Sequence, residues 1–200
     1  MFEKMTLQQY GDILADNTPT PGGGSALAVV GTIACALVEM SINVTLAKLQ
    51  NTDEQFAYLG RSRNYFTRAR QSLHQMSDDD ARAFREIIDC MHLPQMTDEQ
   101  IGTRKSQLQK AYHKAALVPL DVMRLCKECF VTAKIRVFPL LYNYVSSDCQ
   151  IGIDLFANIV ENSMENVYAN TTLITDTALK EMLEKQGNEI LHQLRMAREV

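Results

Sequence analysis

The chain has 200 residues, a formal net charge of −4 and 22% charged side chains. This length suits one domain with a sizeable core, so we expect a single domain over 1–200. A slightly acidic chain without a basic stripe is a poor partner for nucleic acid, and we expect none. Five cysteines, an odd number, fit a reducing compartment, and residues 2–10 are too polar for a signal peptide. We therefore expect a cytoplasmic protein.

A first helix is predicted over 3–16, because apolar side chains recur there at helical spacing. Pro19 and Pro21 exclude a helix through 18–21, since each fixes its own φ and keeps the preceding residue extended. Three glycines, 22–24, then provide a backbone without side chains that can approach a ligand closely. Ser25 is predicted to cap the next helix. A glycine loop before a helix suits an anion or a planar ring, and by spacing alone it suits a simple turn equally well.

The segment 26–38 is small and apolar on every face and belongs inside a protein or a bilayer. Glu39, Ser41 and Asn43 interrupt the apolar run and no basic flank follows, so we expect no membrane span. Alanine, glycine and cysteine on all sides suit a central helix over about 24–50. Glu39 needs a partner on such a helix, and we expect an arginine.

Further helices are predicted along the rest of the chain. A third spans about 53–76 with Thr52 as its cap, and a fourth starts with Ser77 as N-cap and Asp80 at the capping-box position. Thr97 opens a long helix to about residue 132, bent at Pro119.

The remaining third of the chain contains one ambiguous segment. Residues 133–146 are β-tolerant, and Pro139 excludes a regular helix through them. A helix follows from Ser147-Asp148, and Thr175 or Asp176 opens a highly charged last helix over 175–200.

These patterns predict an all-α fold, a multi-helix bundle around a central small-residue apolar helix. A helix as apolar as 26–38 needs cover on all sides, which favours a dimer, although one chain can supply that cover. Cys126 and Cys129 form a single CxxC inside a predicted helix, where buried free thiols are expected rather than a metal site. We predict no metal site.

Several motifs, in matching order, resemble one known family. The first is 18–26, Thr-Pro-Thr-Pro-Gly-Gly-Gly-Ser-Ala, and the others are Asp80–Phe84 with Leu93-Pro94, Arg104 with Gln109–Ala111 and Val118–Leu120, and Ser147-Asp148 with Asn166, Val167 and Asn170. On these residues the chain resembles the folate cyclodeaminases and methenyltetrahydrofolate cyclohydrolases. That family includes the C-terminal half of formiminotransferase-cyclodeaminase and its stand-alone bacterial relatives.

The resemblance implies an all-α homodimer with a folate site near the subunit interface. It puts cyclodeamination first, from 5-formimino-tetrahydrofolate to 5,10-methenyl-tetrahydrofolate plus ammonia, and methenyltetrahydrofolate cyclohydrolysis second. A catalytically inactive folate-binding protein is the alternative of another class. Both reactions need proton transfer at nitrogen, and we expect no cofactor besides the tetrahydrofolate substrate.

Asp80 is our first candidate for the catalytic carboxylate and Asp148 the second. Each has a structural alternative, because Asp80 can cap its own helix and Asp148 can pair with a helix dipole. Asp148 can also bind the pterin edge. The predicted substrate-binding residues are Pro21, Gly22, Gly23, Gly24, Ser25, Asn43, Lys48, Arg104, Ser147, Asn166 and Asn170.

The chain departs from the family pattern at several positions. They are Glu39, Ala47, Leu141-Tyr142 and Gln150-Ile151. These changes motivate the alternative of a folate-binding protein without catalysis.

Overall fold

The computed structural model describes residues 2, 5–49 and 54–199, and within them six α-helices form a bundle. The helices are α1 Leu7–Leu14, α2 Gly23–Leu46, α3 Glu54–Met91, α4 Asp98–Val131, α5 Ser146–Thr171 and α6 Thr177–Glu199. The predicted all-α class is confirmed. The first helix is shorter than predicted and begins after Thr6, whose side chain forms a capping box with Gln9. The predicted cap Thr52 lies outside the described residues.

The central element is α2, which packs against α3 on one side and α5 on the other. Close packing requires small residues: a Cβ on Gly152 would lie 2.9 Å from the carbonyl oxygen of Ala34. Contacts of Gly23 with Asn166, and of Ser41 with Val145, show that α2 and α5 are antiparallel. The predicted central helix is therefore confirmed, ending at Leu46.

The apolar helix α2 is long enough, by length and composition, to cross a membrane. Half of its most apolar window is nevertheless buried inside the bundle. Glu39, on this helix, accepts hydrogen bonds from Arg70 Nε at 2.7 Å and Thr67 Oγ1 at 2.8 Å. The expected arginine partner is thus confirmed.

The prediction of two helices between 53 and 93 is wrong, because α3 runs without a break through residues 77–80. Ser77 is therefore not an N-cap, and Asp80 is not in a capping box. No proline or glycine lies at residues 77–80, and the polar side chains there have partners within α3 or on other segments. Asp78 accepts the N–H of Phe2 and Asp79 pairs with Arg82. Because these side chains are already hydrogen-bonded or ion-paired, they do not compete for backbone groups and the helix does not end here.

The predicted capping box at Thr97 is confirmed, with Gln100 as its second member. The helix that it opens, α4, continues past Pro119. The ambiguous segment 133–146 contains no strand in this described range. It comprises a π-helical turn, Thr132–Val137, and two short 3₁₀ turns, Phe138–Leu140 and Asn143–Val145. Pro139 lies in the first 3₁₀ turn, as expected for a residue that ends regular helix.

The last helix packs on the bundle rather than extending from it. Asp176 Oδ1 accepts the N–H of Leu179 at 3.1 Å, so the predicted start at Asp176 is confirmed. Buried Gly187 faces Met164 of α5 and Leu120 of α4, and a Cβ there would collide with the Met164 sulfur. The five cysteines are buried free thiols, and burial raises the pKa of Cys149 to about 12.

Candidate functional site

The glycine loop leads directly into α2. Gly22 is the N-cap and Gly23 the first helical residue, so the predicted cap, Ser25, lies inside the first turn. The prediction of Ser25 as N-cap is therefore wrong. The glycines extend the helix three residues further back than a cap at Ser25 would allow, and they place no side chains of their own over its first N–H groups. The Thr20-Pro21 peptide bond, just before the loop, is cis.

Asp80 supplies the acceptor that Ser25 was predicted to provide. From the C-terminal half of α3, its Oδ2 accepts the backbone N–H of Ser25 at 2.9 Å. Burial raises the pKa of Asp80 above its ordinary value, and this hydrogen bond opposes the rise only in part. The structural alternative, in which Asp80 caps its own helix, is excluded because it caps α2 instead. A carboxylate with a raised pKa is a candidate for proton transfer.

Gly24 lets the carboxylate of Asp80 approach the first turn of α2. A Cβ on Gly24 would overlap Oδ1 of Asp80 and lie 2.8 Å from its Cγ. A Cβ on Gly23 would contact only Asn166 Oδ1, at an ordinary distance of 3.8 Å. Two adjacent glycines therefore differ: Gly24 is required by Asp80, and Gly23 borders open space.

That open space is a pocket of about 240 Å³ between the glycine loop, α3, α4 and α5. Its lining comprises Pro19, Thr20, Gly22, Gly23, Gly24, Asp80, Phe84, Ala115, Asn166, Ala169 and Asn170. Asn170 Nδ2 donates to the carbonyl oxygens of Ala115 and Asn166, at 3.2 and 2.9 Å. The pocket thus combines a carboxylate, two amides and a bare helix N-terminus, a set suited to a polar heterocycle and to acid–base chemistry.

Three hydroxyl groups form a buried cluster behind the first turn of α2, which we call the hydroxyl cluster (Tyr10, Ser25 and Ser77). Tyr10 Oη lies 2.9 Å from Ser25 Oγ, which lies 2.7 Å from Ser77 Oγ. Burial raises the pKa of Tyr10. Sequence reasoning missed this use of Tyr10 and Ser77. The only signal was the place of Tyr10 on the apolar face of α1.

The structure brings together seven of the predicted site residues around the pocket. They are Gly22, Gly23, Gly24, Ser25, Asp80, Asn166 and Asn170. Pro21 is buried within the same loop.

The other predicted residues lie elsewhere in the chain. Ser147 and Asp148 are in the first turn of α5, and eighteen residues separate Asp148 from Asn166, which is about 27 Å along a helix axis. Asn43 and Lys48 are exposed at the C-terminal end of α2, beside that turn. These four residues therefore occupy the opposite end of the bundle from the pocket.

Arg104 also lies outside the pocket. Its guanidinium donates to the carbonyl oxygen of Met91 and to Gln95, at 3.3 and 3.1 Å. In this conformation it holds the connection between α3 and α4, and its role towards a substrate stays a prediction.

A larger cavity, of about 560 Å³, lies on the other side of α2, against α3. Its charged groups are already engaged: Arg70 pairs with Glu39 and Asp78 accepts the N–H of Phe2. Nε2 of His74 is buried there without a hydrogen-bond partner in the described structure. We therefore regard the glycine-loop pocket, with its carboxylate and helix N-terminus, as the candidate site.

Comparisons with known proteins identify relatives of this chain. The family model described as formiminotransferase-cyclodeaminase matches residues 6–189. A methenyltetrahydrofolate cyclohydrolase of Methylorubrum extorquens is 32% identical over 186 residues, which is 93% of this chain and 88% of that protein. The formimidoyltransferase-cyclodeaminase of Mus musculus is 27% identical over 180 residues, 86% of this chain and 32% of that protein.

The fold also matches a solved structure over nearly its whole length. The crystal structure of formiminotetrahydrofolate cyclodeaminase from Thermotoga maritima superposes with a TM-score of 0.86 at 26% sequence identity. The superposition covers 98% of this chain and 93% of that chain.

Proposed function

Because this chain belongs to the formiminotransferase-cyclodeaminase family, we propose that it is a soluble cytoplasmic enzyme acting on one-carbon-substituted tetrahydrofolate. The observation that carries the proposal is Asp80, a carboxylate with a raised pKa held at a pocket between a glycine loop and two asparagines. Every named relative reported above acts on a one-carbon folate or contains a cyclodeaminase part.

Hydrolysis of 5,10-methenyl-tetrahydrofolate is the reaction that we put first. The cyclohydrolase relative shares 32% identity over nearly the whole of both chains. In the proposed step, water adds to the methenyl carbon while Asp80 takes a proton from it. The added hydroxyl then loses its proton to form the formyl carbonyl as one carbon–nitrogen bond of the ring breaks, and that nitrogen receives a proton. The products are formyl-tetrahydrofolate and one released proton.

Cyclodeamination is the second candidate, favoured by the structural match to a cyclodeaminase. A folate nitrogen attacks the formimino carbon and loses its proton to Asp80. This attack closes the five-membered ring. The amino group of the former formimino group, which starts protonated, then takes the proton back from Asp80 and leaves as ammonia, and the methenyl double bond forms. Both reactions take place at the same carbon atom with Asp80 as the proton acceptor, and neither requires a cofactor besides the folate. In either case the bare backbone of Gly22 and Gly23 would lie against the pterin ring.

The test follows the absorbance of the methenyl group with purified protein. We expect accelerated loss of 5,10-methenyl-tetrahydrofolate over the spontaneous rate. Growth of the same band from 5-formimino-tetrahydrofolate, with release of ammonia, would instead identify a cyclodeaminase. Binding of folate without turnover of either compound would support the alternative of an inactive folate-binding protein. No binding at all would contradict the proposed function.

The rate should depend on the protonation state of Asp80. Burial raises the pKa of this carboxyl, and the unprotonated form is the one that accepts a proton. The rate should therefore rise with pH through a pKa above that of an exposed aspartate. A profile of kcat/KM from pH 3 to 8 measures this limb. A rate that follows the ordinary aspartate pKa, or is flat, would contradict the assignment.

A homodimer would explain why the predicted site residues lie at two ends of the bundle. Asp148 is about 27 Å from the pocket along α5. Asp148 and the pocket residues can therefore contact one ligand only if they come from different subunits. Exposed apolar side chains on α2 and α5 offer a contact surface, with Ile33 43% and Ile151 52% exposed. We therefore include in the proposal a dimer whose folate site is shared.

Mixing two inactive variants tests the shared site. If the site is shared, Asp80→Asn and Asp148→Asn should each be inactive. Their co-expression should restore about a quarter of the wild-type activity, because half of the dimers are mixed and each retains one intact site. The co-expressed dimers are measured in the absorbance assay. Full activity of Asp148→Asn alone, or a monomer in sedimentation, would contradict this part of the proposal.

A further inference from the structure

The hydroxyl cluster is the feature that the proposed chemistry leaves unexplained. Tyr10 and Ser77 do not line the pocket, yet they are buried and bonded to a residue that contacts Asp80. A tyrosine hydroxyl loses its hydration when it is buried, so it needs a partner. Tyr10 finds that partner on another helix, at Ser25.

Ser25 connects the cluster to the carboxylate through two different groups. Its Oγ bonds to Tyr10 and Ser77, while its backbone N–H donates to Asp80. Ser77 and Asp80 are three residues apart on α3 and therefore share one face of that helix. The hydroxyl of Ser77 fixes where Ser25 meets this face, and Asp80 receives the N–H of the same residue.

From this geometry we propose that Tyr10 is a positioning residue of the candidate site. Its hydroxyl holds Ser25 against Ser77 and so fixes the first turn of α2 at the distance that Asp80 requires. The inference rests on the proposed function for its effect on catalysis.

Contacts made by Phe2 also hold Tyr10 in position. The ring of Phe2 packs edge-on against that of Tyr10, with centroids 5.4 Å apart. The N–H of Phe2 donates to Asp78 on α3 at 2.8 Å. Phe2 thus connects Tyr10 to the helix that carries Ser77 and Asp80, which fixes the position of the tyrosine ring.

Burial and the Ser25 hydrogen bond are the main influences on the pKa of Asp80. The pocket walls from α4 and α5 are uncharged, being Ala115, Asn166, Ala169 and Asn170. On α3 itself, Asp79 pairs with Arg82 and Asp78 accepts the N–H of Phe2. The hydrogen bond from Ser25 lowers the pKa of Asp80. A looser first turn of α2 would weaken this bond, and the pKa of Asp80 would rise.

Tyr10→Phe removes only the hydroxyl and tests the inference. We expect kcat to fall about tenfold, because a small misplacement of a catalytic group has large effects. KM should change less than twofold, since Tyr10 does not line the pocket. The acidic limb of the pH profile should move to higher pH, because the Ser25 bond weakens.

Tyr65→Phe is the matched control. Its ring is half-buried on α3, fifteen residues before Asp80, and its hydroxyl lies 3.7 Å from the Cys129 sulfur. It loses a hydroxyl contact remote from the site, so its pH profile should match that of the wild type. An unshifted profile in Tyr10→Phe, whether kcat falls or not, would overturn the inference.

Two further measurements keep the inference testable if Tyr10→Phe is unstable or the wild type is inactive. Ser77→Ala removes the other end of the cluster and should shift the profile in the same direction. Hydrogen exchange of the Ser25 amide needs no substrate, and it should be faster in both variants than in Tyr65→Phe. Unchanged exchange would contradict the positioning role, whereas faster exchange in an inactive protein would contradict only the proposed function.

Discussion

Replacing Asp80 by asparagine is expected to lower kcat by about 10³-fold, the usual effect of losing a general base. Asparagine has the same shape, and its amide oxygen can still accept the N–H of Ser25, which is 2.9 Å away in the wild type. The first turn of α2 should therefore remain in place, and binding of the folate should be retained. Only the capacity to take a proton is lost.

The absorbance assay and a folate titration separate these two effects. Asp79→Asn is the matched control, because it removes the adjacent carboxylate, which pairs with Arg82 on the outer face of α3. Its kcat should stay within twofold of the wild type. Equal losses in both variants would indicate a general charge effect, and full activity of Asp80→Asn would assign the proton transfer to another group.

The same substitution should make the protein more stable at neutral pH. Burial raises the pKa of Asp80 in the folded state above that in the unfolded state. Between these two pKa values the folded state binds more protons, so the free energy of unfolding falls as pH rises through that window. Asparagine removes this cost. The melting temperature of Asp80→Asn should exceed that of the wild type at pH 7, and the difference should disappear below the ordinary aspartate pKa.

Local patterns were sufficient to predict most of the helices. The proline and glycine run predicted the loop, the apolar small residues predicted the central helix, and the Thr97 capping box predicted the start of α4. Each of these depends on neighbours in sequence. Asp80 was also found, but with a wrong local role, because its partner is Ser25, 55 residues away.

Contacts between distant residues explain what sequence reasoning missed. Ser77 reads as an N-cap when only its neighbours are considered, because serine favours that position. In the structure its hydroxyl bonds to Ser25, 52 residues earlier, and the helix continues. The role of Tyr10 was missed for the same reason, since nothing near it in sequence indicates a hydroxyl partner on α2.

The structure also shows where the departures from the family pattern lie, which the sequence alone does not. Leu141-Tyr142 and Gln150 lie with Asp148 at the far end of the bundle, where the N–H of Tyr142 donates to Thr45. None of them lines the glycine-loop pocket. In the proposed dimer they would alter the part of the site that the second subunit supplies, and leave Asp80 and the glycines unchanged.

Gly24→Ala should strongly lower both activity and stability, because Asp80 leaves no room for a side chain at this position. The new Cβ would lie 2.8 Å from Cγ of Asp80 and would overlap its Oδ1. Either the first turn of α2 moves or the carboxylate rotates, and both break the hydrogen bond from Ser25. We expect kcat/KM to fall about 10²-fold and the free energy of unfolding to fall by about 1–3 kcal/mol.

Two alanine variants at other glycines serve as controls in the same kinetic and thermal unfolding measurements. Gly60→Ala meets no atom within 4 Å on α3, so it should leave activity unchanged and stabilise the helix by about 0.5–1 kcal/mol. Gly23→Ala makes only a 3.8 Å contact with Asn166, so it should keep the fold and weaken folate binding by narrowing the pocket. If Gly24→Ala behaved like Gly60→Ala, the glycine loop would be a simple turn and the close approach of Asp80 would have no catalytic role.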